Sequence, residues 1–179
     1  MEQNIKPIHL HIKQRQPEEK RKSLSFKVEV PCSNLVKFYM EKNFGRGKDK
    51  LVFIDNTSTV GKFFYKCIEN PSNKHDKDYK GYQDSITVNI SENIFIRKGI
   101  LITPTDIISF DNFVTKLIYQ SVWLYIDARQ DGAVQHYTAK RLMDDFCVKY
   151  GYSEDILSYE RLKKAKQFRT NPDKGLNIC

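Results

Sequence analysis

The fold depends most on residues 103–131, whose sequence is TPTDIISFDNFVTKLIYQSVWLYIDARQD. Between residues 110 and 125 apolar side chains fall on almost every side of a helix with 3.6 residues per turn. We therefore expect this helix to be central and buried. Thr103 and Pro104 are suited to its cap and first turn, although Ser109 offers a second place for it to begin.

Two further helices are predicted downstream. The first runs from about residue 134 to Tyr150, with apolar residues at i, i+3 and i+4, and it stops at Gly151. Ser153 is placed to cap the second helix, whose first turn is acidic and which ends before Pro172. This part of the chain is therefore predicted to be a three-helix unit.

Upstream of that unit, the apolar residues predict β-strands, most of them by alternating with polar residues with a period of two. The predicted strands lie within residues 6–13, 23–30, 51–54, 85–90 and 94–102. The first two are expected to pair as a hairpin, and Pro31 is expected to end the second. Within residues 94–102, Arg97-Lys98-Gly99 is the expected turn of another hairpin.

Two helices are predicted among these strands. The first runs from Asn34 to Phe44 after a Ser33 cap, with Gly45 beyond its end. A flexible basic loop, residues 45–50, follows it. The second helix is expected to start near Ser58 and to continue to Glu69, because Pro71 prevents its extension.

The predicted fold class is α+β, in two parts and a tail. Residues 1–103 form a scaffold domain, a small mixed sheet with two helices. Residues 104–170 form the helical unit, whose last two helices have the outline of a helix-turn-helix. Residues 171–179 are predicted to be a loose tail.

The charge balance indicates an anionic partner. The chain carries 30 Lys and Arg against 22 Asp and Glu, for a net charge of +8. A helix-turn-helix with a basic second helix can place that helix in a DNA groove, with its cations on phosphates. The same cations also fit a solvated helix whose charge complements the helix dipole. The predicted DNA-binding residues are the basic residues of the last two helices and of the loop 45–50, namely Lys140, Arg141, Lys149, Arg161, Lys163, Lys164, Lys166, Arg169, Arg46 and Lys48.

Motifs for catalysis, metals and cofactors are absent from the sequence. Its four cysteines form no C-x-x-C pair, and neither G-x-S-x-G, H-E-x-x-H nor G-x-x-x-x-G-K-[ST] occurs. We therefore predict no catalytic residue, no metal and no cofactor. The polar start of the chain and the lack of an 18-residue apolar run predict a cytoplasmic protein with reduced thiols and no membrane partner.

One short pattern resembles a known family. His9-Leu10-His11 on a predicted strand is similar to the His-hydrophobe-His motif of rolling-circle nucleases and relaxases, and Tyr137-Thr-Ala-Lys140 is similar to their Y-x-x-K motif. The resemblance implies a metal-dependent single-strand nick with a phosphotyrosine bond. It covers only these residues, and the histidines lie too near the N-terminus for the strand that precedes the motif in that family.

The leading hypothesis is a non-enzymatic DNA-binding protein, with RNA left open as a ligand. Abundant Lys, Ile, Asn, Tyr and Phe indicate an A/T-rich genome, which is common among phages and mobile elements. The first alternative is an assembly protein, such as a virion or complex component, that binds an acidic protein. The nickase is the second alternative. Homo-oligomer formation through the α+β half is left open.

Overall fold

The computed structural model describes residues 25–69, 81–98, 102–131 and 137–170, with the backbone alone at residues 69, 97, 98 and 166–170. The fold is α+β, as predicted. Its elements, in chain order, are β1 (Ser25–Cys32), α1 (Asn34–Phe44), β2 (Gly45–Arg46), β3 (Leu51–Phe53), α2 (Thr59–Glu69), β4 (Asp84–Ser91), α3 (Glu92–Lys98), α4 (Pro104–Asp131), α5 (Ala139–Tyr150) and α6 (Tyr159–Thr170).

The four described strands form one mixed sheet in the order β1-β4-β3-β2. β4 pairs antiparallel with β1 and parallel with β3, where Val52 lies opposite Val88. Successive side chains of a strand point to opposite faces, so Val52, Val88, Ile86 and Ile90 share one face. All four are buried; helices α1 and α4 pack against the sheet, and α2 packs against α4.

Helix α4 completes the core. Val114, Ile118, Val122 and Ile126 follow one another at four-residue spacing and are almost fully buried. The helix contacts β1, α1 and α2 on the sheet side and α5 beyond them, so one apolar cluster extends across both predicted regions. The division of the chain into a scaffold domain and a helical unit stays a prediction.

The sequence allowed α4 to begin either after Thr103 or at Ser109. In the structure the helix begins at Pro104. The Thr103 backbone N–H donates to the Asp106 carboxylate at 3.3 Å, and the Asp106 backbone N–H donates to the Thr103 hydroxyl oxygen at 3.3 Å. This reciprocal pair satisfies backbone donors that have no partner within the helix. The prediction from Thr103-Pro104 is confirmed.

Helix α1 has the predicted bounds and the predicted cap, since the Ser33 hydroxyl accepts from Val36 N–H at 3.4 Å. Helix α2 begins within a residue of its predicted start, after a turn in which Asp55 accepts from two backbone N–H groups. Gly61 in its first turn has no room for a side chain, because a Cβ there would lie 1.6 Å from the Asp55 carbonyl oxygen.

The prediction that Pro31 ends its strand is wrong. β1 continues through Pro31, which lies opposite Ser85, to Cys32. β1 is an edge of the described sheet, where a residue without an N–H can be accommodated because one side of the strand needs no donor. The predicted partner strand, residues 6–13, lies outside the described residues.

The predicted hairpin within residues 94–102 is also wrong, because residues 92–98 form helix α3. Glu92 lies in the first turn, where a carboxylate is favoured. Phe95 stacks on Phe26 of β1, with ring centroids 4.1 Å apart. A short apolar run does not distinguish a strand from a helix by periodicity alone, and this contact with β1 is not visible in the local sequence.

The last two helices start later than predicted. Thr138 caps α5, and α6 begins at Tyr159 rather than after Ser153. The Ser153 carbonyl accepts from the N–H groups of Ile156 and Leu157 at 3.1 and 3.0 Å, which closes a single turn. Leu157 is buried in the core, and Ser158 then caps α6 by accepting from Arg161 N–H at 3.4 Å.

Candidate nucleic-acid interface

A cleft of about 290 Å³ opens where the last turns of α1 and α5 meet the middle of α4. We call it the cationic–aromatic cleft. Side chains from all three helices line it, chiefly Tyr39, Lys42, Ser121, Tyr125, Phe146 and Tyr150. Its position follows from the helix contacts, because α4 packs against α1 on one side and against α5 on the other.

Helical spacing places the functional groups of each wall together. Residues four apart lie on one face of a helix, so Ser121, Tyr125 and Arg129 form a row along α4. On α5 the same spacing places Tyr150 beside Phe146, and Lys149 is one residue earlier. The buried neighbours of this face, including Ile118 and Phe146, hold the tyrosines in position.

The rings of the cleft contact one another directly. The Phe146 ring lies 4.4 Å from that of Tyr150 and 5.3 Å from that of Tyr125, measured between centroids. Tyr125 meets Tyr150 edge to face at 6.3 Å. On the far side, Tyr152 stacks on Phe146 at 5.9 Å. These geometries fix the rings, while Tyr150 keeps 36% of its surface exposed.

Three cations from three helices surround these rings. The Arg129 guanidinium lies 3.7 Å from the Tyr125 centroid. The Lys149 ammonium lies 5.4 Å from the Tyr150 centroid, and the Lys42 ammonium lies 5.9 Å from it. Within the described part of the chain, no carboxylate forms an ion pair with any of the three.

Lys42 also has a structural contact. Its ammonium donates a hydrogen bond to the backbone carbonyl of Tyr150, at the end of α5, and it lies 5.7 Å from the Phe38 centroid. A cation at the C-terminus of a helix is favoured by the helix dipole. Lys42 thus fastens α1 to α5 and forms one side of the cleft.

The hydroxyls of Tyr39 and Tyr152 in the cleft remain neutral at ordinary pH. Burial raises the pKa of Tyr152 to about 12, and burial also raises the pKa of Tyr39. Neither phenol ionises near neutrality, so neither introduces a negative charge that would repel an anion. The hydroxyls stay available as hydrogen-bond donors.

Of the predicted DNA-binding residues, Lys149 alone is among the three cations that surround the cleft rings. Lys140 and Arg141 are exposed on α5, and so are Asp144 and Asp145. The two acidic residues balance the two basic ones. This part of α5 is therefore a weak candidate for phosphate contacts.

Helix α6 presents a second group of predicted residues. Arg161, Lys163 and Lys164 are exposed, while Leu162 between them is fully buried. The side chains of Lys166 and Arg169 lie outside the described residues. Residues 151–158 connect α5 to α6, a link longer than the roughly three- to four-residue turn of a helix-turn-helix.

The two auxiliary residues lie apart from the cleft. Arg46 is in β2, paired with Leu51, and its guanidinium is 4.8 Å from the Phe53 centroid. Strand alternation puts Leu51 and Phe53 on the face opposite the buried Val52, which is the face away from the helices. Lys48 is exposed in the following turn, so the predicted flexible loop is a two-residue strand and a tight turn.

Lys42 and Arg129 were not predicted as binding residues, and neither were Tyr125 and Tyr150. The four-residue spacing of Tyr125 and Arg129 was a usable local signal, since it places a cation beside a ring. Phe38 and Lys42 have the same spacing and lie 5.7 Å apart, ring centroid to ammonium. The contacts of Lys42 with Tyr150 and Tyr152 had no local signal, because those rings lie more than a hundred residues away in the chain.

The features of the suspected nickase are not brought together among the described residues. His9 and His11 lie outside them. Tyr137 is half-buried just before α5, with the Arg141 guanidinium 5.0 Å from its ring centroid. The described portion of the chain contains no group of three or more His, Cys, Asp or Glu residues that could hold a metal ion.

The described cysteines, Cys32, Cys67 and Cys147, are free thiols. Burial raises the pKa of Cys147, which packs against the core from the apolar face of α5. In the portion of the chain that the structure covers, no helix is both long and apolar enough to span a membrane. Comparisons with protein-family models, curated proteins and solved structures gave no match to this chain.

Proposed function

We propose that this protein binds DNA without catalysing a reaction on it, in the cytoplasm, and that the cationic–aromatic cleft is the principal contact. The observation that carries the proposal is the convergence of Lys42, Arg129 and Lys149 on two tyrosine rings, without a carboxylate partner in the described structure. Cations neutralise phosphates and rings stack on bases, and nucleic acids offer both in alternation.

The exposed cations of α6 extend this surface in the proposal. Arg161 lies close enough to α4 to lower the pKa of Tyr119, although burial raises that pKa more strongly. Tyr119 follows Ile118, which lines the cleft. In the proposal, Arg161, Lys163 and Lys164, which are exposed on α6, contact phosphates of the bound DNA outside the cleft.

The test is fluorescence anisotropy with labelled DNA of roughly 15 nucleotides, a length within the usual range of site sizes, across a salt series. The cleft variant combines Arg129→Gln with Lys149→Gln. The matched control combines Lys62→Gln with Lys66→Gln, two exposed lysines of α2, a helix that contributes no residue to the cleft lining. Both variants lose two positive charges.

Wild type and control are expected to bind with affinities that fall steeply as salt rises. The cleft variant should bind more weakly, and the slope of log K against log salt should decrease in magnitude by about 1.4, since each phosphate contact contributes about 0.7 on a single strand. If the wild type binds neither single-stranded nor duplex DNA, the proposed function is wrong. If the two variants lose affinity equally, net charge rather than the cleft accounts for binding.

One observation favours the assembly-protein alternative. Leu124 and Val148 are 66% and 84% exposed, on α4 and α5 respectively. Exposed apolar residues on adjacent helices can mark a protein contact. Sedimentation velocity of the pure protein distinguishes the two functions: an oligomer that dissociates in Leu124→Ser, together with no affinity for DNA, supports the assembly role.

A further inference from the structure

We propose that the cationic–aromatic cleft receives an unpaired base of single-stranded DNA, so that the protein distinguishes single strands from duplex. The inference rests on the proposed function and specifies its ligand.

The shape of the cleft excludes stacked base pairs. A protein reads duplex DNA with an element that protrudes into a groove, because the bases are stacked inside the helix. Here the rings of Tyr125 and Tyr150 lie in a concavity between three helices, above the buried ring of Phe146. A base can reach these rings only if it is unpaired and turned away from its neighbours.

The volume of the cleft fits one base. At about 290 Å³ it lies at the lower end of the range of small-molecule sites. That space admits one planar ring system. The aromatic surface is sequence-tolerant, since every base has a π-face on which a tyrosine can stack.

The walls provide contacts for both parts of a nucleotide. Tyr150, with its exposed surface, and the Arg129 guanidinium, 3.7 Å from the Tyr125 centroid, offer planar groups to a base. The ammonium groups of Lys42 and Lys149 lie 5.9 and 5.4 Å from the Tyr150 centroid, so cations are close to the phosphates of a nucleotide whose base stacks on that ring. Asn43 at the rim adds an amide that can hydrogen-bond a base edge.

The test compares four labelled oligomers of equal length with the full chain: oligo-dT, the oligo-dT·oligo-dA duplex, an abasic deoxyribose-phosphate oligomer and oligo-U. We expect oligo-dT to bind at least tenfold more tightly than the duplex and the abasic oligomer, in line with the usual effect of one base stack. Equal affinity for oligo-dT and the abasic oligomer, or for oligo-dT and the duplex, would overturn the inference and leave the proposed function standing. No binding to any DNA would overturn both.

The comparison of oligo-U with oligo-dT tests whether the protein prefers single-stranded DNA to single-stranded RNA. Binding of oligo-U at least as tight as that of oligo-dT would overturn the assignment to DNA. A purine analogue whose fluorescence is quenched by stacking, placed in the middle of oligo-dT, gives a direct signal. Quenching by the wild type supports insertion of a base, and unchanged fluorescence under saturating protein contradicts it.

Two variants test the cleft itself. Ser121→Leu enlarges an exposed side chain of the cleft lining and removes no ring or charge. It should lower oligo-dT affinity roughly tenfold and abolish the quenching, with little effect on the abasic oligomer. Tyr150→Leu should do the same, while Tyr150→Phe, which keeps the ring, should bind like the wild type. If Ser121→Leu folds and binds oligo-dT normally, the base does not enter the cleft.

Discussion

The backbone N–H of Ser33 donates to the carboxylate of Asp111 at 2.7 Å, which joins two residues 78 positions apart in the chain. Ser33 caps α1, and Asp111 lies buried in α4. Tyr82 adds a hydrogen bond to the same carboxylate. The first turn of α1 is thus positioned by a single acidic side chain from the central helix.

Asp111 should make stability depend on pH. Burial raises its pKa above the ordinary 3.8, although its hydrogen bonds with Ser33 and Tyr82 oppose the shift. The folded state therefore holds the proton more tightly than the unfolded state. The resulting stabilisation is fully present below pH 3.8 and is lost as pH rises through the folded-state pKa. Asp111→Asn has no such dependence, so it should gain stability relative to the wild type as pH rises.

The measurement is urea unfolding of both proteins at a series of pH values from acid to neutral. Asp127→Asn, which removes an exposed carboxylate from the same helix, serves as the control for the loss of one negative charge. The stability of Asp111→Asn relative to the wild type, measured as the free energy of unfolding, should increase with pH. If this difference stays constant or decreases as pH rises, the folded-state pKa of Asp111 is not raised.

Phe63 of α2 and Phe113 of α4 should be energetically coupled. Their rings are parallel within 4°, with centroids 4.1 Å apart. Stacked aromatic pairs contribute about 0.5–1.5 kcal/mol beyond their buried area. A double-mutant cycle with Phe63→Leu and Phe113→Leu, measured by urea unfolding, should therefore give a coupling of that size. Phe63→Leu combined with the distant Tyr150→Leu should be additive within about 0.5 kcal/mol.

This cycle also tests the predicted domain boundary. The two phenylalanines lie on opposite sides of residue 103, the end of the predicted scaffold domain. Coupling within a single cooperative transition indicates that the two regions fold together. Two separate transitions, with additive effects of the two substitutions, would favour independent domains.

Lys42→Met should destabilise the protein by about 1 kcal/mol, because it removes the hydrogen bond to the Tyr150 carbonyl and the cation from three rings. Methionine keeps the apolar stem, so the loss reports on the ammonium. Lys48→Met, in the exposed turn after β2, should change stability by less than about 0.5 kcal/mol. Thermal unfolding of the two variants provides the comparison. Equal effects would show that Lys42 does not fasten α1 to α5.

Cys32 should resist alkylation in the folded protein. Burial, with Asp111 and Asp84 nearby, raises the pKa of this thiol to about 12, and only the thiolate reacts. Iodoacetamide at about pH 8, a usual condition for thiol alkylation, followed by peptide mass spectrometry, should label the half-buried Cys147 first and Cys32 only after unfolding. Labelling of Cys32 at the rate of Cys147 would contradict its burial.

Much of the fold could be predicted because its signals are local. The Ser33 cap and the following apolar spacing define α1, and the Thr103-Pro104 pair defines the start of α4. The failures occurred where distant contacts decide the structure. Phe95 packs on Phe26 as part of a helix, and Leu157 is held in the core by a single turn that delays the start of α6.

The candidate site could be predicted only in part. Lys149 was identified from its charge, yet charge alone ranked it equally with Lys140 on the other side of the same helix. Whether each lysine belongs to the candidate site depends on the side chains around it. Lys149 approaches rings from α4 and α5, whereas Lys140 shares its surface with Asp144. That information lies in the packing of α1, α4 and α5.

The central position of α4 has a consequence for the nascent chain. A ribosome releases the strands and α1 first, and the apolar face of Val88 and Ile90 is complete only when Val114 to Ile126 arrive. At about 5–20 residues per second, the synthesis of these later residues takes on the order of seconds. During that interval the unfinished core is accessible to chaperones and to neighbouring nascent chains, so the yield of folded protein depends on how soon α4 emerges.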